Sequence, residues 1–530
     1  MSMSISAPFF FLITSFWPVD SNQLDKQISI SILLVALTFA LFWLRPKVRR
    51  PCLPPGPRGL PLVGYLPFLS GNPHHKLTHL AEIYGPVFKL RLGTKLCVVL
   101  NSPASINEAF RHQETLLPNR VTTVCARLSS YGGSGIVFTQ DNGDWKKLRK
   151  IFVRKMLSKS NLDASYSVRT QEVRKVIKGV FESAGTQIDI GKVSFLAALK
   201  SVMAMTWGDS GRLIGKDGVD LEVKFREVMD ELMVLLGTPN VSDLFPVLGR
   251  FDLQGIAKRT KKVMGVSDEI LNSAIEEQRK MRGSGVEKGG YLQMLLELED
   301  NEDSSDCITD DQLKALLLDI VIGGTETTAT TIEWAMAELM QHPNTMKKVK
   351  EELKEVIGLN ALAEEFHFSK LCYLNAVIKE TLRLHPPIFL LVPRILTSST
   401  TLGGYFIPKN STIYFNIWAI QRDPKVWDNP LKFKPERFLN NEECGEHFEF
   451  DGNTMEFFPF GYGKRSCAGI PLAERMLMFI LASLLHSFDW ELPKDSVLDF
   501  KEKFGIVNKK LNPLVAIPTP TLSNLDLYLA

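Results

Sequence analysis

Residues 460–469 read FGYGKRSCAG: one cysteine, Cys467, inside a box of three glycines, with Lys464 and Arg465 just before it. A cysteine kept only for packing needs neither the glycines nor the charge. A thiolate is a strong ligand for soft and redox-active metals. Gly461 and Gly463 permit a tight turn that presents the sulfur and aims backbone N–H groups at it, and such hydrogen bonds tune a metal-bound thiolate. Gly469 clears room for a flat macrocycle, and Pro471 suits the first turn of a helix that follows. The sulfur then lies near a helix N-terminus, where an anion is favoured. These features together point to a thiolate on haem iron, an arrangement that favours O–O cleavage.

Around this box lies a chain of 530 residues, 45% hydrophobic and 23% charged, an ordinary globular balance. Its 62 basic and 59 acidic residues leave a net charge of +3, which gives no case for a nucleic-acid partner. The cysteines, Cys52, Cys97, Cys125, Cys307, Cys372, Cys444 and Cys467, are odd in number and scattered, and none form CxxC. That speaks against a disulfide scaffold or zinc ribbon and for a reducing compartment.

Ile28 to Leu44 reads ISISILLVALTFALFWL, seventeen residues without a charge, the lower limit for crossing a bilayer. Arg45, Lys47, Arg49 and Arg50 follow at once, which places the basic side and the body in the cytoplasm. A cleaved signal peptide carries its positive charge before the apolar run, not after it. Pro51 to Gly59, PCLPPGPRG, reads as a stiff extended hinge. The expected division is a short luminal segment 1–27, an anchor 28–44, a basic and proline-rich hinge 45–59, a catalytic domain 60–520 and a tail 521–530.

Within the body, 86–92 and 96–100 read as a β-hairpin around Gly93-Thr94-Lys95. From Asp144 to Gln341 the pattern is mostly helical, with 282–290 and 297–306 as solvated loops, and short strands dominate 386–412. The longest predicted helix begins at Thr309, in capping-box spacing with Gln312, and stops at His342-Pro343. At 1.5 Å per residue it crosses roughly 48 Å, the width of a large domain. Its centre reads Gly323-Gly324-Thr325-Glu326-Thr327-Thr328. Paired glycines cost about 1 kcal/mol each against alanine, and buried polar groups need partners. Either the helix kinks here, or something bulky lies against it and uses those groups.

Phe460, Gly463, Arg465, Cys467 and Gly469 match F-x-x-G-x-R-x-C-x-G, and on this the chain resembles the cytochrome P-450 haem-thiolate monooxygenases. Further motifs fall in that family's order: Gly323–Thr328 for the oxygen-activation helix, Glu380-Thr381-Leu382-Arg383 for E-x-x-R, Lys434–Phe438 for the P-E-R-F segment, and Trp145 with Arg149 for W-x-x-x-R. The resemblance implies a mainly α fold with a minor β region, behind an N-terminal transmembrane anchor helix. It implies haem b with Cys467 as the axial iron ligand and Phe460 and Gly469 beside the haem. Trp145, Arg149, Arg394 and Arg465 are expected at the propionates. Glu380, Arg383 and Arg437 are expected as a buried ion-pair cluster. Thr327 and Glu326 are expected to assist proton delivery during O₂ activation. Thr328 is expected to matter less, since the next residue points about 100° around the helix.

For the substrate, the resemblance maps the pocket onto 121–137, the helix before Gly323, 388–392 and the surroundings of Ile506. Phe389, Leu390, Leu391 and Val392 form an apolar strip beside Arg394, which suits a small apolar molecule. The run of segments is most similar to plant sesquiterpene hydroxylases of the δ-cadinene 8-hydroxylase kind, with flavonoid or phenylpropanoid hydroxylation as the alternative. Electrons are expected from NADPH through a cytochrome P-450 reductase at the endoplasmic reticulum membrane, docked on Lys146, Lys147, Lys150 and Lys464. Two rival readings are a member that rearranges substrates without O₂, and a non-enzymatic haem or electron-carrying protein.

Overall fold

The structure is a computed structural model, and it describes residues 52–529 except 70, 209–220, 284–289, 302–303, 440–454 and 504. The expected anchor and the hinge up to Pro51 lie outside the described residues. In chain order, the helices that frame the interior are α1 (Pro73–Tyr84), α2 (Gly143–Ile151), α3 (Ile190–Trp207), α4 (Asp310–Gln341), α5 (Cys372–Leu384) and α6 (Ile470–Ser487).

The capping box expected at Thr309 forms: its hydroxyl accepts from the Gln312 amide, and the Gln312 side chain accepts from the Thr309 amide. Asp310 and Asp311 in the first turn add favourable charge at the helix N-terminus. From there α4 runs unbroken for 32 residues to the turn before Pro343, so the kink does not occur. The glycine pair serves packing instead. A Cβ on Gly324 would stand 3.1 Å from Val202 of α3, whereas one on Gly323 would meet nothing within 4 Å. Gly324 therefore lets α3 approach, and Gly323 keeps one face of α4 clear.

Helix α6 begins with Pro471 in its first turn, as the sequence predicts. It is long and apolar enough to cross a membrane, but most of it is buried in the core with α4 and α5. The minor β region centres on a mixed sheet. The hairpin β1 (Val87–Leu92) and β2 (Lys95–Leu100) pairs in the register Val87↔Leu100. Further along the chain come β3 (Asn119–Arg120), β4 (Arg394–Ile395) and β5 (Thr412–Phe415), and the spatial order is β1-β2-β5-β4-β3. A small C-terminal hairpin joins β6 (Glu502–Lys503) to β7 (Lys509–Lys510).

Four local features depart from or add to these readings. Glu297 to Asp300 are the last turn of a helix, Tyr291–Asp300, rather than loop. The compact body begins at Leu53, where Pro55 accepts a backbone hydrogen bond from Lys89 of β1 at 2.8 Å. Near the C-terminus Tyr528 is buried and stacks on Phe181 at 4.4 Å. Cys372 is disulfide-bonded.

Candidate active site

The cysteine loop is built as its glycines require. Gly461 and Gly463 both sit at φ +72°, where a side chain would be strained. The turn is closed by the Cys467 amide donating to the Phe460 carbonyl at 2.9 Å. The Gly469 amide then donates to the Cys467 sulfur at 3.3 Å. Cys467 opens onto an interior cavity and is enclosed by protein on its other sides. Burial pushes its thiol up, while the Gly469 amide and the Arg149 guanidinium pull the other way.

One wall of the same cavity is α4. Asp319, Ile320, Gly323, Gly324, Thr327 and Thr328 line it, at the i, i+4, i+8 spacing of one helical face and its neighbour. The Thr327 hydroxyl donates back to the Gly323 carbonyl at 2.7 Å. Thr328, about 100° further around the helix, also reaches the cavity. The cavity edge is wide enough to take two adjacent residues.

Glu326 does not line the cavity. Its carboxylate is ion-paired with Lys509 of β7, and Lys509 also reaches Asp230 at 2.7 Å. The other Glu326 oxygen, Oε1, is buried without a hydrogen-bond partner. Burial pushes the Glu326 carboxyl up despite Lys509. For Lys509, burial works against the charge, but Glu326 and Asp230 outweigh it and hold its pKa up. The lysine is the firmer charge of the pair, because two carboxylates share it.

A different wall is strongly cationic. Arg120, Arg149, Arg394 and Arg465 all line the cavity. Strand pairing sets Arg120 directly opposite Arg394, a like-charge placement that is unfavourable by itself. Their hydrogen bonds go to carbonyls: Arg120 to Val392 at 2.6 Å, Arg149 to Ser466 at 3.0 Å, Arg394 to Tyr462 at 3.0 Å and Arg465 to Thr139 at 2.7 Å. The buried Arg120 Nε has no acceptor. Burial first, then the three neighbouring arginines, hold the Arg120 pKa well below the usual guanidinium range. Trp145 does not line the cavity. It packs its indole under Arg465, with the guanidinium carbon 3.9 Å from the ring centroid.

Behind the cysteine loop, Arg383 grips Glu380 through two bonds of 2.8 Å, and Arg437 reaches the same carboxylate at 3.1 Å. Glu380 and Arg383 are fully buried, so this is no surface i, i+3 pair. Arg383 also donates to the Gln421 and Pro430 carbonyls, and Trp427 lies against both guanidiniums.

The sequence profile named Cytochrome P450 matches residues 54–517. The chain belongs to the cytochrome P450 family. It is 38% identical to carnosic acid synthase of Salvia pomifera over 481 residues, 88% of this chain and 93% of that one. It is 36% identical to a flavonoid 3'-monooxygenase of Crocosmia x crocosmiiflora over 502 residues, 93% and 97% of the two chains. With geraniol 8-hydroxylase of Swertia mussotii it shares 37% over 479 residues, 88% and 94%. Among solved structures, a zebrafish cytochrome P450 with progesterone superimposes with a TM-score of 0.72 at 25% identity, covering 85% of this chain and all of that one.

As a cytochrome P450 the protein is a haem-thiolate monooxygenase that uses O₂ and electrons derived from NADPH. Its residues fit that cofactor. A sulfur with an amide hydrogen bond faces the cavity, and four arginines that form no ion pair among the described residues suit a dianionic group such as the haem propionates. The apolar strip is only partly in place. Leu391 and Val392 line the cavity with Pro387 and Ile388. Phe389 instead packs against His74, ring centroids 3.9 Å apart and tilted, and Leu390 packs on the small cluster that includes residues of β1 and β2. The turn at Leu391, with φ +50°, redirects the chain, so 389–390 face away from the cavity while 391–392 line it. Ile506 sits outside the cavity lining, its amide donating to the Met233 carbonyl at 3.4 Å. Sequence reading missed Arg120, and it covered Asp319 only within the helix before Gly323 without singling it out. Arg120 carries no motif, and only its pairing with Arg394 across the sheet reveals it.

Proposed function

We propose that this cytochrome P450 is anchored in the endoplasmic reticulum membrane and hydroxylates an apolar plant terpenoid, with electrons passed from NADPH by a membrane-bound reductase. The observation that carries the reading is that Cys467 and Thr327 line one cavity whose contacts outside the arginine wall and Asp319, among them Ile136, Val137, Ile320, Ile388 and Leu391, are largely apolar. Haem, when bound, supplies O₂ activation and oxygen insertion. Cys467 would hold the iron, with the Gly469 amide tempering the charge on sulfur. Arg120, Arg149, Arg394 and Arg465 would hold the propionates, and Trp145 fixes Arg465. Phe460 and Gly469, which line the cavity with Cys467, would lie against the macrocycle. The Thr327 hydroxyl holds a proton donor in the cavity and keeps bulk water from the reacting centre. Glu326, outside the cavity, acts through the Lys509 pair as the proton reserve behind Thr327.

The terpenoid reading is supported by relatives named for carnosic acid and geraniol. A sesquiterpene is our choice within that class, from the run of segments. The flavonoid 3'-monooxygenase relative supports flavonoid hydroxylation as a second reading. For reductase docking, Lys146, Lys150 and Lys464 are exposed beside the cysteine loop, with Lys150 paired to Asp306 at 3.1 Å. Lys147 turns inward to the Cys307 carbonyl at 2.8 Å, so it is the weakest member of that face.

Co-expression with a plant reductase, feeding of mixed terpenes and flavonoids, and mass spectrometry of the products test this reading. It expects a product one oxygen heavier than a terpenoid. Conversion of flavonoids alone selects the second reading, and no NADPH-dependent product contradicts both.

A further inference from the structure

Asp319 stands on the cavity face of α4, eight residues before Thr327, about 12 Å along the helix axis at 1.5 Å per residue. Its carboxylate accepts from the Ile136 amide at 2.6 Å and from the Val137 amide. The loop is moulded onto it, since a Cβ on Gly135 would fall 2.5 Å from Oδ2. The same loop is held from its other side. The Ile136 carbonyl accepts from Trp145 Nε1 at 3.1 Å and from Arg465 at 3.3 Å. Asp319 thus ties the helix that carries Thr327 to the loop that meets the arginine wall.

The two amides use about half of the acceptor positions of a carboxylate. Among the described residues no ion pair forms at Asp319, and its neighbours on the cavity, Ile136, Val137 and Ile320, are apolar. Part of the side chain opens onto the cavity, although protein encloses it. A hydrocarbon sealed over this carboxylate would strip it of water without replacing the lost hydrogen bonds, which is costly. A donor on the substrate removes that cost.

We propose that Asp319 is a substrate-recognition residue that accepts a hydrogen bond from a hydroxyl on an otherwise apolar substrate. This rests on the reading of the cavity as the haem and substrate pocket. The substrate is then an alcohol or a phenol rather than an unsubstituted hydrocarbon. Oxidation falls at the end remote from the existing oxygen, because Asp319 lies two helical turns from Thr327. The reaction that precedes this one must already have placed an oxygen on the skeleton.

The test uses the full haem-loaded enzyme and 1-alkylimidazoles of matched length, whose imidazole reports binding through a shift of the Soret band. The far end of the alkyl chain is methyl, hydroxyl or carboxylate. In the wild type, the hydroxyl probe should bind about tenfold or more tighter than the methyl probe of its best length, and the carboxylate probe weakest. In Asp319→Asn the hydroxyl preference should shrink and the carboxylate probe should recover. Equal binding of hydroxyl and methyl probes by the wild type, or a ranking unchanged in Asp319→Asn, overturns the proposal. The wild-type ranking stands even if the variant folds poorly. No Soret shift with any probe would instead show that the pocket itself is misread, and the proposal would fall with it.

Discussion

Glu326 of α4 and Lys509 of β7 form an ion pair in the protein interior, one residue along the helix from the cavity-lining Thr327. The pair couples the C-terminal hairpin to the centre of α4. As a proton reserve Glu326 must both take up and release a proton, and Lys509 opposes the burial that would otherwise keep its carboxyl permanently protonated. Lys509→Met is expected to leave a buried carboxyl that takes up a proton, since burial already pushes its pKa up. Turnover should fall in Lys509→Met and in Glu326→Gln, within the range of about 10²–10⁴-fold that general acid–base help contributes. Because the two act as one unit, the double variant should be little worse than either single. A double-mutant cycle on turnover checks this, and strictly additive losses would separate the two residues.

Thr327→Ala should keep haem but lose coupling. Its hydroxyl is held to the Gly323 carbonyl, and removing it opens space beside the reacting centre. NADPH consumption is expected to continue while product falls and hydrogen peroxide rises. Thr328→Ala also alters the cavity wall, so it should weaken substrate binding while coupling is retained. Equal peroxide release from both variants would mean that the proton donor is not Thr327.

Arg383→Ala should cost the fold far more than the site. Among the described residues it leaves buried Glu380 with only Arg437 and the Lys434 amide as partners, and it strips donors from the Gln421 and Pro430 carbonyls. Removing one member of a buried pair commonly costs about 3–5 kcal/mol. Thermal unfolding should show a large loss, with poor haem incorporation. A melting temperature close to wild type would deny the cluster its structural role.

Asp319 gives a pH dependence with a definite sign. Burial pushes its carboxyl up to about 7 against an ordinary value of 3.8, with the two backbone amides opposing. A carboxyl whose folded pKa is raised contributes stability that is fully present below the unfolded pKa and is lost as pH rises through the folded one. Relative to Asp319→Asn, wild-type stability should therefore decline as pH rises from about 4 to about 7, then level off. Melting temperatures of both proteins across that window test this. A gap that widens in favour of wild type with rising pH would show the carboxylate to be well stabilised in the fold.

Much of this architecture was legible in short motifs. The glycines of the cysteine loop encode its left-handed turn, and the Thr309–Gln312 spacing encodes the start of α4. Glu380 and Arg383 stood out only through their order among other motifs, because an i, i+3 pair is ordinarily a surface feature. What the sequence hid depends on contacts between distant segments. Arg120 becomes an arginine-cluster residue only when β3 pairs with β4. Asp319 becomes a latch only when the loop around Ile136 folds onto it. Phe389 and Leu390 were misread because a positive-φ turn at Leu391 redirects the chain, and apolar composition does not reveal which way a side chain faces.

The central claim is that Cys467 supplies the haem thiolate, and the reduced carbon monoxide spectrum of Cys467→Ala tests it most directly. The wild-type chain is expected to show the red-shifted Soret band of a thiolate-ligated haem, and the variant to lose it. Retention of that band in Cys467→Ala would contradict the account, because no other described cysteine lines the cavity.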